Sequence, residues 1–150
     1  MKLDDALKGI QLLYVETPPI IYYVESHPTY VDRMGFIIDY LEQSQSLRAM
    51  SSVITLAEVL MHPIKENKQT LVKEYQDILL NSAEFSLMPV TVSVAQSAAR
   101  LRAQYNLRTP DALHVATAID AGCDAFLTND LGLKRVNELT ILVLDELELP

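Results

Sequence analysis

Residues 109–130, TPDALHVATAIDAGCDAFLTND, decide the fold. Thr109 and Pro110 read as a helix start: an N-cap residue, then a proline whose missing N–H would have no helical partner at that position. The helix runs to Ala121, and Gly122 supplies the left-handed residue that ends it. Ala125 to Thr128 then forms a short strand with no polar alternation, the pattern of a parallel strand covered on both faces.

The same grammar extends outward from this unit. Gln11 to Val15 is a short buried strand, and Thr17-Pro18-Pro19 opens a helix with Thr17 as N-cap. Val31, Met34, Ile37, Ile38 and Leu41 share one face of a helix over Tyr30 to Ser44. Ala49 to Val53 is a second strand, followed by a helix from about Thr55 to Met61 that Pro63 ends. Lys65 to Asn81 is amphipathic, with Leu71, Val72, Tyr75, Ile78 and Leu79 inward. Ser86 to Val90 gives a third strand, Ser93 to Tyr105 a helix, and Thr140 to Leu144 a fifth strand after that of residues 125–128. Short apolar strands alternating with helices predict an α/β fold built on a parallel sheet of about five strands.

The chain of 150 residues fits a single domain over residues 1–150, and its 49% hydrophobic content is enough for a sizeable core. No apolar run reaches the roughly 20 residues of a membrane span. The amino terminus, MKLDDALKGI, carries acids where a signal peptide carries bases, and the single cysteine, Cys123, has no internal disulfide partner. A bacterial or archaeal cytoplasm is the expected compartment. The net charge of -8 argues against a surface that coats nucleic acid, although not against local contact through metal ions.

Four acids stand alone in apolar segments. Glu16 is the only charge between Gln11 and Val24, and Glu58 the only one between Ala49 and Met61. Asp111 is the only Asp, Glu, Lys or Arg between Thr109 and Ile119, and Asp130 the only one between Ala125 and Leu133. A buried carboxylate needs a partner, because lost hydration is costly, and no lysine or arginine in these segments provides one. Glu16 follows the first strand and Asp130 the fourth, while Glu58 and Asp111 lie near helix starts. In a parallel sheet, strand ends and the following helix starts share one edge. Carboxylates gathered there repel one another, and a divalent cation with a preference for hard oxygen ligands relieves the repulsion. Each acid also has a plainer reading: Asp111 a helix-start acid, Asp130 a loop or N-cap acid, Glu16 a solvated turn residue, Glu58 part of a solvent-facing stripe. Of the four, Glu58 is expected to be the most buried.

The order strand-Glu16-Thr17, then Glu58, then TPDALHVATAIDAG and FLTND resembles the PIN domain, above all the VapC-like toxins of bacterial toxin-antitoxin pairs. The resemblance spans nearly the whole chain, and residues 111–130 are its most specific part. It implies a three-layer α/β/α sandwich, Mg²⁺- or Mn²⁺-dependent hydrolysis of RNA to a 5′-phosphate product, frequent homodimers, and a small antitoxin protein as partner. Its four acids fall on Glu16, Glu58, Asp111 and Asp130, which become candidate catalytic and metal-binding residues, with Glu16 and Asp111 the first choices for direct ligands. Thr128 falls on its hydroxyl residue and would orient a carboxylate or a water. Thr17 matches the polar residue after the first acid. The family usually has Asp where Glu16 stands. The extra methylene extends the carboxylate by about 1.5 Å, and a misplacement of about 1 Å can cost on the order of 100-fold in rate. A further aspartate common after the fourth acid is absent near Leu133.

Other residues fit plainer roles or other functions. Arg100, Arg102, Arg108, Lys134 and Arg135 form either a basic rim guiding phosphate or ordinary solvated helix faces. His114, one turn after Asp111, reads as a packed helix histidine before a ligand or proton carrier, and Tyr22 and Tyr23 as packing before base stacking. A degenerate domain that binds RNA or protein without cutting is the main competing function. A phosphatase or phospho-receiver needs a nucleophilic Asp after the first strand, where Glu16 stands.

Overall fold

The computed structural model describes residues 1–150. In chain order the elements are α1 (Leu3–Leu7), β1 (Leu12–Val15), α2 (Thr17–Val24), α3 (Val31–Gln43), β2 (Arg48–Ser52), α4 (Val53–Lys65), α5 (Gln69–Leu80), β3 (Phe85–Met88), α6 (Val92–Tyr105), α7 (Thr109–Asp120), β4 (Ala125–Thr128) and β5 (Thr140–Val143). Period-two alternation divides the strand side chains between two faces. Leu13, Val15, Ala49, Ala125 and Leu127 join one core with residues of α1 to α5. Tyr14, Met50 and Phe126 join the other with residues of α6 and α7. The result is the expected α/β/α sandwich.

All five strands are parallel, in the order β3-β2-β1-β4-β5. The chain steps outward from β1 to β3, then returns across the sheet to β4 on the other side of β1. Right-handed crossovers explain the layering, since reversing the direction of travel puts the connecting helices on the opposite face. The two strands at this reversal are β1 and β4, so their carboxyl ends flank the crevice where open α/β sheets place ligands.

Several boundaries differ from those read in the sequence. The short helix α1 was not expected; it is tied in where the Leu3 N–H donates to the Glu148 carbonyl at 2.9 Å. Thr17 and Thr109 are the first helical residues, and Glu16 and Arg108 occupy the N-cap positions with no side-chain capping bond. Both helices therefore begin one residue earlier than a Thr N-cap would place them, with proline at the second helical residue. Pro63 does not end α4 but sits buried inside it. It falls in the last turn, where the missing N–H removes a single helical bond and little helix remains to be broken.

Two helices do carry hydroxyl caps. Ser52 accepts from the Ile54 N–H at 3.1 Å, and Thr91 accepts from the Val94 N–H at 3.1 Å. Thr91→Ala is expected to destabilise the protein by about 1 kcal/mol. For a domain of this size that lowers Tm by about 3 °C, measurable by calorimetry; an unchanged Tm would show that water replaces the cap. No helix is long and apolar enough to cross a membrane.

Candidate active site

The sheet brings the four acids to one crevice. Glu16, Glu58, Asp111 and Asp130 all line a cavity of about 290 Å³, together with Thr17, Arg108, His114, Tyr22 and Asn129. Glu16 is placed by the end of β1, where its own N–H donates to the Leu127 carbonyl of β4 at 3.0 Å. The Thr128 hydroxyl, at the end of β4, donates to the Glu16 carboxylate, so the longer glutamate arm reaches across to the adjacent strand. That hydroxyl also accepts from the Asp130 N–H at 3.0 Å, and Asp130 in turn accepts from the Gly132 N–H at 2.8 Å as the cap of a short 3-10 turn over Leu131–Arg135.

Burial ranks the acids differently from the sequence expectation. Glu16 is 5% exposed and Asp111 8%. The Glu58 side chain is 41% exposed, and Asp130 is exposed as well. The error has a physical origin. Glu58 sits among apolar residues of α4, yet Val53, Met61 and Ile64 of that helix are themselves exposed, so apolar neighbours in sequence did not mean an interior position.

The electrostatics follow. Burial pushes the Glu16 carboxyl above the ordinary carboxylate range; the Thr128 hydrogen bond and His114 oppose this, while Asp111 and Asp130 add to it. Glu58 moves the other way, held below the usual range chiefly by its hydrogen bond to His114, with Thr17 and Arg108 assisting. Asp111 accepts from the Arg108 guanidinium at 3.2 Å, in the first turn of α7.

Of the five cations considered for a basic rim, Arg108 alone lines the crevice. Arg102 donates to the Leu107 carbonyl at 3.1 Å, Arg100 to Ser97, Lys134 to Glu146, and Arg135 to the Tyr105 carbonyl. Tyr22 borders the crevice, whereas Tyr23 borders a separate cavity of about 600 Å³. Burial pushes the Cys123 thiol up to about 12, which leaves it no thiolate for nucleophilic work near neutral pH.

His114 is the residue whose place the sequence reading undervalued. It is 2% exposed and lies between two layers, with Nδ1 2.6 Å from the Tyr14 hydroxyl and Nε2 2.9 Å from Glu58 Oε1. The Thr17 hydroxyl is 3.0 Å from the same Glu58 oxygen and 3.0 Å from the Thr55 hydroxyl. Ser51 continues the polar chain, 2.7 Å from Thr55 and 2.8 Å from the Val15 carbonyl. The three-residue spacing from Asp111 was the available signal, because it puts His114 on the same helical face.

The donor chemistry of the crevice fits a hard divalent cation: four carboxylates from four elements and no thiolate. No three His, Cys, Asp or Glu side chains are drawn together tightly enough to enclose an ion, since each acid is turned toward its own protein partner. A cation would have to draw these carboxylates away from those partners.

Comparison with known proteins follows the same line. The sequence model of the PIN domain matches residues 13–139. Among curated proteins none matches. VapBC2 from Rickettsia felis, solved bound to a DNA fragment from its promoter, is similar in fold with a TM-score of 0.67 at 16% identity, covering 88% of this chain and 98% of that one. The DNA-bound VapBC from Salmonella typhimurium gives a TM-score of 0.64 at 18% identity, over 88% and 97% of the two chains. VapC20 from Mycobacterium tuberculosis, described as a Sarcin-Ricin loop cleaving toxin, gives 0.65 at 14% identity, over 85% and 98%.

Proposed function

The chain belongs to the PIN domain family, and on that premise we propose that it is a divalent-metal-dependent endoribonuclease, the toxin of a toxin-antitoxin pair. One observation carries the reading: acids from β1, α4, α7 and the end of β4 line a single crevice at the point where the strand order reverses. Glu16 and Asp111, with Glu58 and Asp130 beside them, are the residues that would hold Mg²⁺ or Mn²⁺. When bound, the ion would offset negative charge on a phosphate oxygen and lower the pKa of water toward neutrality, so that hydroxide is available as the nucleophile. Thr128 orients Glu16. Arg108, exposed beyond its contact with Asp111, is placed to meet a phosphate at the mouth of the crevice. The product expected is an RNA fragment with a 5′-phosphate.

Partners follow from the same premise. An antitoxin is supported by the toxin-antitoxin assemblies among the similar structures. The cavity of about 600 Å³ suits it chemically: Val31, Ile38 and Phe85 offer apolar contact, and Glu42, Glu74 and Asp77 favour a cationic segment. Exposed Met61 and Ile64 on α4 and Leu80 on α5 support a homodimer.

Removal of the metal tests the activity. Purified protein incubated with a set of structured and single-stranded RNAs is expected to cleave in Mn²⁺ or Mg²⁺, to stop in EDTA, and to recover when metal is returned in excess. Cleavage that persists in EDTA, or none with either ion, would count against the reading. The second outcome would favour a non-cleaving binding module, an alternative supported by the way each acid is already held by a protein partner.

A further inference from the structure

We propose that His114 is a positioning residue for Glu58, fixed between Tyr14 and Glu58 in the tautomer that carries its proton on Nε2. Its effect on rate rests on the nuclease reading; the lock itself does not.

Hydrogen-bond inventory carries the argument. A carboxylate only accepts, and a neutral imidazole has one N–H donor and one acceptor nitrogen. Glu58 Oε1 lies 2.9 Å from Nε2, so that nitrogen is the donor. Nδ1 is then the acceptor, and the Tyr14 hydroxyl at 2.6 Å donates to it. Tyr14 is the fixed partner: it is fully buried on the central strand, and its ring stacks on Phe126 with centroids 4.9 Å apart and planes 6° from parallel. The lock thus runs from β1, through a histidine of α7, to an acid of α4.

Its consequence is geometric. Thr17 donates to the same Oε1 that His114 holds. With two donors on Oε1, the other oxygen of Glu58 is the one presented to the crevice. Glu58 is half exposed on a helix with little else to fix its rotamer, so this pair of contacts turns a mobile surface glutamate into a directed ligand. Loss of such an outer contact costs about 10- to 100-fold in metal affinity or activity.

Three substitutions at one position separate this role from simple packing. The amide of His114→Gln reaches the place of Nε2 and donates to Glu58. The amide of His114→Asn reaches only the place of Nδ1, so it meets Tyr14 and loses Glu58. His114→Ala loses both. The expected result is that Gln retains Mn²⁺ affinity and kcat within about threefold, while Asn and Ala lose about 10- to 100-fold in both, with KM for RNA little changed. A purely structural histidine would instead give losses that track Tm, with Gln and Asn alike, and that outcome overturns the proposal. Nitrogen-15 NMR of the wild type should show a pyridine-like Nδ1 and a pyrrole-like Nε2 for His114, and Glu58→Ala, which leaves His114 only hydroxyl partners able to donate or accept, should give averaged shifts. The opposite tautomer in the wild type overturns the proposal whatever the activity. An inactive wild type showing the predicted tautomer would overturn the nuclease reading and still support the lock.

Discussion

Asp111→Asn is expected to lower RNA cleavage by on the order of 100-fold or more while leaving the protein folded. The magnitude is that of removing one preorganised electrostatic group from a water-poor site. Asp111 is nearly buried, in the first turn of α7, and faces the crevice beside Glu16. Asparagine keeps its volume and one carbonyl oxygen but removes the charge a cation needs. The released partner, Arg108, is 81% exposed, so water replaces the lost contact and stability changes little. Turnover on RNA in Mn²⁺ together with calorimetric Mn²⁺ binding provides the check. Wild-type turnover in the variant would remove Asp111 from the reaction.

Glu16→Gln is expected to act in opposite directions on two properties. It should abolish tight metal binding and cleavage, and it should raise the Tm of the metal-free protein near pH 7.5. The carboxyl of Glu16 is raised by burial, with the negative charges of Asp111 and Asp130 contributing. A folded-state value above the unfolded one means that the protonated form is favoured by folding. That contribution is fully present below the unfolded value, about pH 4.3 for glutamate, and is lost as the pH rises through the raised folded value. Above it, wild type holds a buried charge that Gln does not. The Tm advantage of the variant in EDTA should therefore shrink as the pH falls toward about 4.3. Added Mn²⁺ should raise the Tm of wild type alone, since it binds the folded site. A variant less stable than wild type in EDTA at pH 7.5 would show that the charge is already compensated. A more stable variant would instead place the site among active sites where stability is given up for function.

How much of this was legible before the structure depends on the kind of signal. Residues 109–130 were legible because cap, helix, glycine and strand succeed one another locally, each signalled within a few residues. The parallel sheet and the shared edge followed from alternation of strands and helices. What was hidden depended on direction in space. Glu58 looked buried because ITLAEVLM is apolar, but α4 leaves much of its apolar side uncovered. Tyr14 and His114 are 100 residues apart and meet only across the sheet. Arg108, the partner of Asp111, stands one residue before the segment in which Asp111 is alone. The short helix α1 has too few turns for a periodic pattern.

The strand reversal that builds the crevice also sets when it can exist. Glu16 and Thr128 are 112 residues apart in sequence. A ribosome adding about 5–20 residues per second makes β1 well before the β4 that pairs with it. Until then Glu16 has neither its strand neighbour nor Thr128, and the long-range parallel pairing that joins them is intrinsically slow to form. A nascent chain therefore carries Glu16 and then Glu58 with no assembled centre until Asp111 and Asp130 have been added, and the crevice forms only once β4 pairs with β1.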